Sequence, residues 1–120
     1  MKFMILLAEE GHFSKWESAE ATHRDRVHDD FRAFSAAVAE RGSIVAGEAL
    51  DRPEAARTLR AAPAGAERVV VDGPYAETVE QVGGFYVIDV PDLDTAVEVA
   101  GLLPREYDLE VRPVVDVDLS

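Results

Sequence analysis

Apolar positions along the chain fall into two periods, and the changes of period mark the elements. Phe3, Ile5 and Leu7 alternate with Met4, Leu6 and Ala8. That run suits a strand that is apolar on both faces. Farther on, Val27, Phe31, Phe34 and Val38 recur at i, i+4, i+7 and i+11, one stripe of an amphipathic helix. Thr22 is its candidate cap, Asp25 lies near its start, where a negative charge suits the dipole, and Gly42 is the expected residue just past its end. Between these elements, Glu9–Lys15 reads as a loop around Gly11. Ser14-Lys15-Trp16-Glu17 has capping-box spacing and can start a helical turn.

Ile44–Leu50 predicts a second strand, and Gly47 inside it signals a bulge or a close backbone approach. Asp51-Arg52-Pro53 is a turn. Ala55–Ala61 and Arg68–Val71 read as a hairpin with its tip at Pro63-Ala64-Gly65-Ala66. Asp72-Gly73-Pro74 has turn chemistry: Asp bonds nearby backbone, Gly supplies positive φ, and Pro fixes φ. Ala76–Val82 predicts one or two helical turns, after which Gly83-Gly84 releases the chain into the strand Phe85–Val90. Phe85 and Val87 take one face of that strand; Tyr86, Ile88 and Val90 take the other. Pro91 stops it. Asp92 caps a second helix with a stripe of Leu93, Ala96, Val97, Ala100 and Leu103, and Pro104 ends that helix. Leu109–Val115 is the last strand, with Pro113 at an edge or near the strand's end. Asp116–Ser120 reads as a loose tail.

The order β-α-β-(hairpin)-β-α-β predicts an α+β, ferredoxin-like βαββαβ fold with an inserted β-hairpin, forming one domain over residues 1–115. Its antiparallel sheet carries two helices on one face. The first strand and Phe85–Val90 look apolar on both faces, so the uncovered face needs a cover. The same sheet from a second subunit is the simplest one. The expectation is a homodimer through the sheet face, a dimeric α+β barrel.

Composition narrows the function classes. A chain of 120 residues with 48% hydrophobic residues supports one domain with a core. The absence of cysteine excludes disulfides, thiolate metal sites and cysteine nucleophiles, and fits a reducing compartment. Met1–Ala8 is too short for a signal peptide, and no apolar run approaches a membrane span. These features predict a cytoplasmic protein with no membrane partner. A formal charge of −12 argues against nucleic acid. Solubility explains the charge most simply, with a cationic ligand or basic partner as the alternative. His23 and His28 are five residues apart, off the shared face of an i, i+4 metal pair. Gly83-Gly84 lacks the spacing and lysine of a phosphate loop, and there is no serine nucleophile elbow. The expectation is no metal and no cofactor.

A long ordered string then carries a resemblance. Val71-Asp72-Gly73-Pro74-Tyr75-Ala76-Glu77-Thr78, Glu80-Gln81, Gly83-Gly84-Phe85-Tyr86 and Asp89-Val90-Pro91-Asp92-Leu93-Asp94 resemble the signature of the YCII-related domain family, in its DGPF branch. Ala46-Gly47-Glu48-Ala49-Leu50 and Glu110-Val111-Arg112-Pro113 resemble it too, so the match spans nearly the whole chain. Tyr75 stands where the branch name has Phe, which keeps the ring and adds a hydroxyl. The resemblance implies a dimeric ferredoxin-like α+β barrel. It also implies that an activity is open, since most members have none assigned. Some YCII-like proteins are thought to use a His–Asp pair, with His on the first helix and Asp before a central strand; His28 and Asp72 hold those regions here. The branch is often encoded near extracytoplasmic-function sigma factors, which implies a regulatory alternative.

Each candidate has a chemical and a plain reading. His28 borders the buried stripe beside Val27 and Phe31. It either looks into a pocket as general acid or base or sits on a wet helix face. Asp72 orients His28 or takes a proton, or it is simply the Asp of an Asp-Gly turn. Glu48 is an inward carboxylate or a strand-end residue in solvent. Tyr75 donates to a substrate oxygen or packs over the turn, and Arg60 binds a substrate carboxylate or is an exposed strand charge. Glu77 and Glu80, spaced i, i+3, share a solvated face, Trp16 is a lid or packing residue, and His12 and His23 read as surface residues. The leading expectation is a cofactor-independent enzyme acting on a small-molecule ligand. In it His28 moves a proton, Asp72 orients the imidazole, and Tyr75 or Arg60 positions an oxygen, giving lyase, isomerase or dehalogenase chemistry. The alternative is a non-catalytic binding or regulatory dimer. A cofactor-independent oxygenase on the same fold is a third reading that no residue selects.

Overall fold

Alternation along the first strand sets the sheet. In the computed structural model, which describes residues 1–76 and 80–118, strand β1 (Lys2–Glu10) buries Phe3, Ile5, Leu7 and Glu9 on one face. Lys2, Met4, Leu6 and Ala8 point to the other. β1 is central. It pairs antiparallel with β5 (Glu80–Asp89) and with β6 (Asp108–Pro113). β2 (Ser43–Ala49) adds to the far side of β5, giving the order β2-β5-β1-β6. This is the anticipated ferredoxin-like α+β sheet.

Two long helices cover one face. α2 (Ala21–Arg41) brings Phe34 and Val38 down onto the sheet, and α3 (Leu93–Ala100) brings Ala96, Val99 and Ala100. They meet Phe3, Ile5, Leu7 and Ile88 in one apolar cluster. The α2 stripe holds as anticipated. The α3 stripe is rotated: Leu93 and Val97 are 44% and 53% exposed, and Val99 is buried instead. Asp92 caps α3 by accepting from the Thr95 amide at 2.8 Å. Hydrogen bonds from Thr95, its side chain first and its amide second, hold the Asp92 carboxyl below the usual range. Gly42 follows α2 with φ 173, which is extended backbone rather than the left-handed cap. Glycine is needed there because a Cβ would overlap the Asp89 carbonyl oxygen.

Four segments depart from expectation. The loop after β1 contains a short helix, α1 (His12–Glu17), entered through Gly11 at φ 62. Glu80, Gln81 and Val82 belong to strand β5 rather than to helical turns, because they pair with Glu10, Glu9 and Ala8. Glu77, expected to share a helical face with Glu80, lies outside the described residues. The hairpin is shorter than anticipated: β3 (Arg57–Leu59) and β4 (Val70–Asp72) form a separate two-stranded sheet. The last strand ends at Pro113, although the Val114 amide still donates to the Lys2 carbonyl at 2.9 Å. No helix among the described residues is long and apolar enough to cross a membrane.

Candidate functional site

The same alternation that buries Leu7 also turns Glu9 inward, so a carboxylate enters the helix–sheet interface. Gly11 then reverses the chain, and α1 returns His12 over Glu9. His12 Nδ1 lies 3.1 Å from Glu9 Oε1, with the two side chains only 13% and 11% exposed. Glu9 is the one charged residue that is buried among the described residues. The other carboxylate oxygen is 4.0 Å from Lys15 Nζ.

A bulge on β5 makes room for the imidazole. Leu7 pairs with Gly84 and Ala8 with Val82, so Gly83 is the extra residue against β1. A Cβ on Gly83 would sit 2.5 Å from His12 Nε2. Bulges of this kind re-aim side chains next to functional sites. Gln81, on the same face as Glu9, accepts from the Phe13 amide at 3.3 Å and pins the start of α1. Arg24 of α2 holds the other end by donating to the carbonyls of Trp16 at 2.8 Å and Glu17 at 3.2 Å. Arg52 adds an ion pair to Glu17.

These elements enclose a cavity of about 470 Å³. Phe13 and Trp16 of α1, Phe31 of α2, Tyr86 of β5 and Tyr107 before β6 form its walls. His12 stands within 5.5 Å of the Tyr107 ring, centroid to centroid. Tyr86 lies over Gly47, where a Cβ would be 2.6 Å from the ring. The close approach anticipated at Gly47 is therefore that of a ring, and the bulge of β2 falls at Val45. Arg26 fixes the loop carrying Tyr107 through Glu106, with Nη2 to Oε2 at 2.8 Å. Burial pushes the Tyr86 phenol up. Burial, and then the Glu9 and Glu106 carboxylates, push Tyr107 up to about 12. Both phenols therefore stay protonated near neutral pH and can donate. A second cleft of about 520 Å³ shares His12, Trp16 and Tyr107 and adds Glu9, Glu20 and His23. The Glu9–His12 pair thus stands between two cavities.

The anticipated site residues divide into two groups. His28 is exposed, lines the aromatic cavity and packs edge-on against Trp16 at 5.7 Å. Glu48 is exposed and lines the same cavity. Asp72, Tyr75 and Arg60 belong to the hairpin region instead. Asp72, with an 88% exposed side chain, pairs with Arg57 Nε at 3.0 Å and has no hydrogen bond or ion pair to His28. The Arg60 guanidinium lies 6.0 Å from the ring of Tyr75, which is 83% exposed. Tyr75 lines a separate cavity of about 690 Å³. His23 is exposed, as anticipated. His12 is not a surface residue: the Gly11 turn folds it against Glu9. Its signal was present in the i, i+3 spacing of Glu9 and His12 and in the phase that puts Glu9 with Phe3, Ile5 and Leu7. Among the described residues, no group of three or more His, Cys, Asp or Glu is placed to hold a metal ion.

The sheet order and the chamber between helices and sheet define a small ferredoxin-like α+β domain. The chain belongs to the YCII-related domain family, whose model matches residues 1–118. It is similar to an uncharacterised protein of Rhizobium meliloti (strain 1021), 38% identical over 105 residues that cover 84% of this chain and 81% of that protein.

Proposed function

We propose that this YCII-related protein is a small-molecule enzyme in which Glu9 and His12 form the proton-transferring pair. The buried contact between them, at the edge of the aromatic cavity, carries the reading. Glu9 accepts the Nδ1–H of His12, which leaves Nε2 with a lone pair for a substrate proton. The carboxylate then steadies the imidazolium until the proton is returned. The Tyr86 and Tyr107 hydroxyls donate to an oxygen that gains charge, and His28 and Glu48 meet the ligand at the cavity wall. This is proton abstraction and return, the chemistry of isomerases and lyases. Asp72 serves the hairpin through Arg57 on this reading.

The ring tautomer tests the pair without a known substrate. In long-range ¹H–¹⁵N spectra at a pH where His12 is neutral, the wild-type ring is expected as the Nδ1–H tautomer. Glu9→Leu is expected to shift it toward Nε2–H. A wild-type ring already in the Nε2–H form, or one indifferent to the substitution, sinks the proposal. The non-catalytic binding or regulatory dimer is then the reading left.

The sheet face away from the helices supports a homodimer. Met4 and Val82 are 36% and 40% exposed there, and Leu6, Phe85 and Val87 are partly exposed. A second copy of the sheet would cover them as an α+β barrel. Sedimentation equilibrium is expected to report twice the 13.1 kDa chain mass, and Leu6→Glu is expected to halve it. A wild-type chain that sediments at the single-chain mass contradicts the dimer.

A further inference from the structure

We propose that the aromatic cavity beside His12 selects a flat, uncharged ring system of one or two fused rings. This deepens the reading of that cavity as the substrate site and rests on it.

Charge excludes ions from this cavity, and shape selects among neutral ligands. Among the described residues, no lysine or arginine lines the cavity, Glu48 does, and Glu9 stands behind His12. The net charge of −12 adds a long-range penalty for an anion. A cation would need free ring faces, and two of the rings are already engaged. The Arg24 guanidinium lies 5.1 Å from the centre of Trp16, and that of Arg52 lies 5.8 Å from the centre of Phe13. Neither arginine lines the cavity. Both rings also meet an imidazole, Trp16 that of His28 at 5.7 Å and Phe13 that of His12 at 4.8 Å, which leaves them little free face for a cation.

Shape points the same way. Phe31 sits 6.4 Å from Tyr86 and 6.2 Å from Tyr107, with the rings tilted by 41° and 58°. Rings splayed like this offer both faces and edges, and aromatic guests pair with either at 4.5–7 Å. A volume of about 470 Å³ lies toward the small end of ligand sites. The Tyr86 and Tyr107 hydroxyls can mark one polar atom on the ring's rim, within reach of His12.

Four probes on one two-ring carbon frame separate the contributions, titrated into the wild-type chain at pH 7. They are 2-naphthol, its saturated counterpart decahydro-2-naphthol, the anion 2-naphthoate and the cation 2-naphthylmethylammonium. The readout is the shift of the Trp16 indole N–H and the His12 ring signals; Trp16 is the sole tryptophan. 2-Naphthol is expected to bind about tenfold or more tightly than the other three, the effect of one or two good ring pairs. Equal binding of the saturated alcohol overturns selection by planarity. Equal or tighter binding of either ion overturns selection by charge. Absence of shifts with all four overturns the proposal outright. The tautomer of ligand-free His12 is an independent result. A flat-ring preference with the wrong tautomer keeps the ligand class and removes proton transfer, and the converse keeps the pair and removes the ligand class.

Discussion

Phe34→Ala is expected to lower the unfolding free energy by about 3–5 kcal/mol in urea denaturation, with the slope unchanged. Phe34 has no exposed surface and packs 4.8 Å from the Tyr86 ring, amid Phe3, Ile5 and Val38. Truncation removes the whole ring and leaves a void between α2 and the sheet. The surrounding elements close it poorly, because β5 and β1 are tied on both edges. A small domain has about 5–15 kcal/mol in total, so this one ring decides whether the variant folds at physiological temperature. The effect reaches the site as well. Phe34 backs Tyr86, and Tyr86 walls the aromatic cavity. A loss below about 1 kcal/mol would mean that Phe34 is not where the core is held together.

Gly83→Ala is expected to dislodge His12 while the sheet persists. The new Cβ would lie 2.5 Å from His12 Nε2 and 2.7 Å from its Cδ2. Contacts that short force a neighbour to move. His12 is not a flexible tip; Glu9 holds its other nitrogen, and α1 is pinned by Gln81 and Arg24. The cost is that of overpacking, about 1–3 kcal/mol. The sharper readout is spectroscopic: the His12 ring signals should move, and the Nδ1–H tautomer should lose its predominance, with far-UV circular dichroism unchanged. His12 signals identical to wild type would show that the ring does not rest on the bulge.

Both predictions rest on residues that differ in how far the sequence reveals them. Phe34 was visible because its neighbours Val27 and Val38 recur with helical period, and burial followed the period. The α3 stripe failed by the same method for a definite reason. Leu93, Ala96, Val97, Val99 and Ala100 make that helix apolar on most sides, so two stripes compete and periodicity cannot choose between them. Only the packing of α3 against α2, β1 and β6 selects Val99 over Val97. The sheet order was accessible because both helices and the flanking strands announce themselves locally. The site was not. His12 was assigned to the surface because the stretch around it has no period, and its burial depends on a reversal at a single residue, Gly11. Glu9 was the better clue. It continues the alternation of Phe3, Ile5 and Leu7, and a carboxylate in that phase needs a partner. Asp72, Tyr75 and Arg60 stand in a motif with fitting chemistry, yet none of them lines the cavity that His28 lines. A distinctive string of letters does not by itself say which cavity it serves.

The bulge at Gly83 has one more consequence, for counting along the strand. From Ile88 back to Gly84, even-numbered positions of β5 face the helices. Past the bulge the parity reverses, so Gln81 faces inward beside Glu9 and Val82 faces outward beside Ala8. The two halves of the strand are out of phase by one residue, and Gly83 absorbs the difference. Deleting that single glycine would therefore restore an unbroken alternation, with every flanking side chain still on its present face. Strand length can vary by one residue here without scrambling either half, and the room above the sheet for an imidazole varies with it.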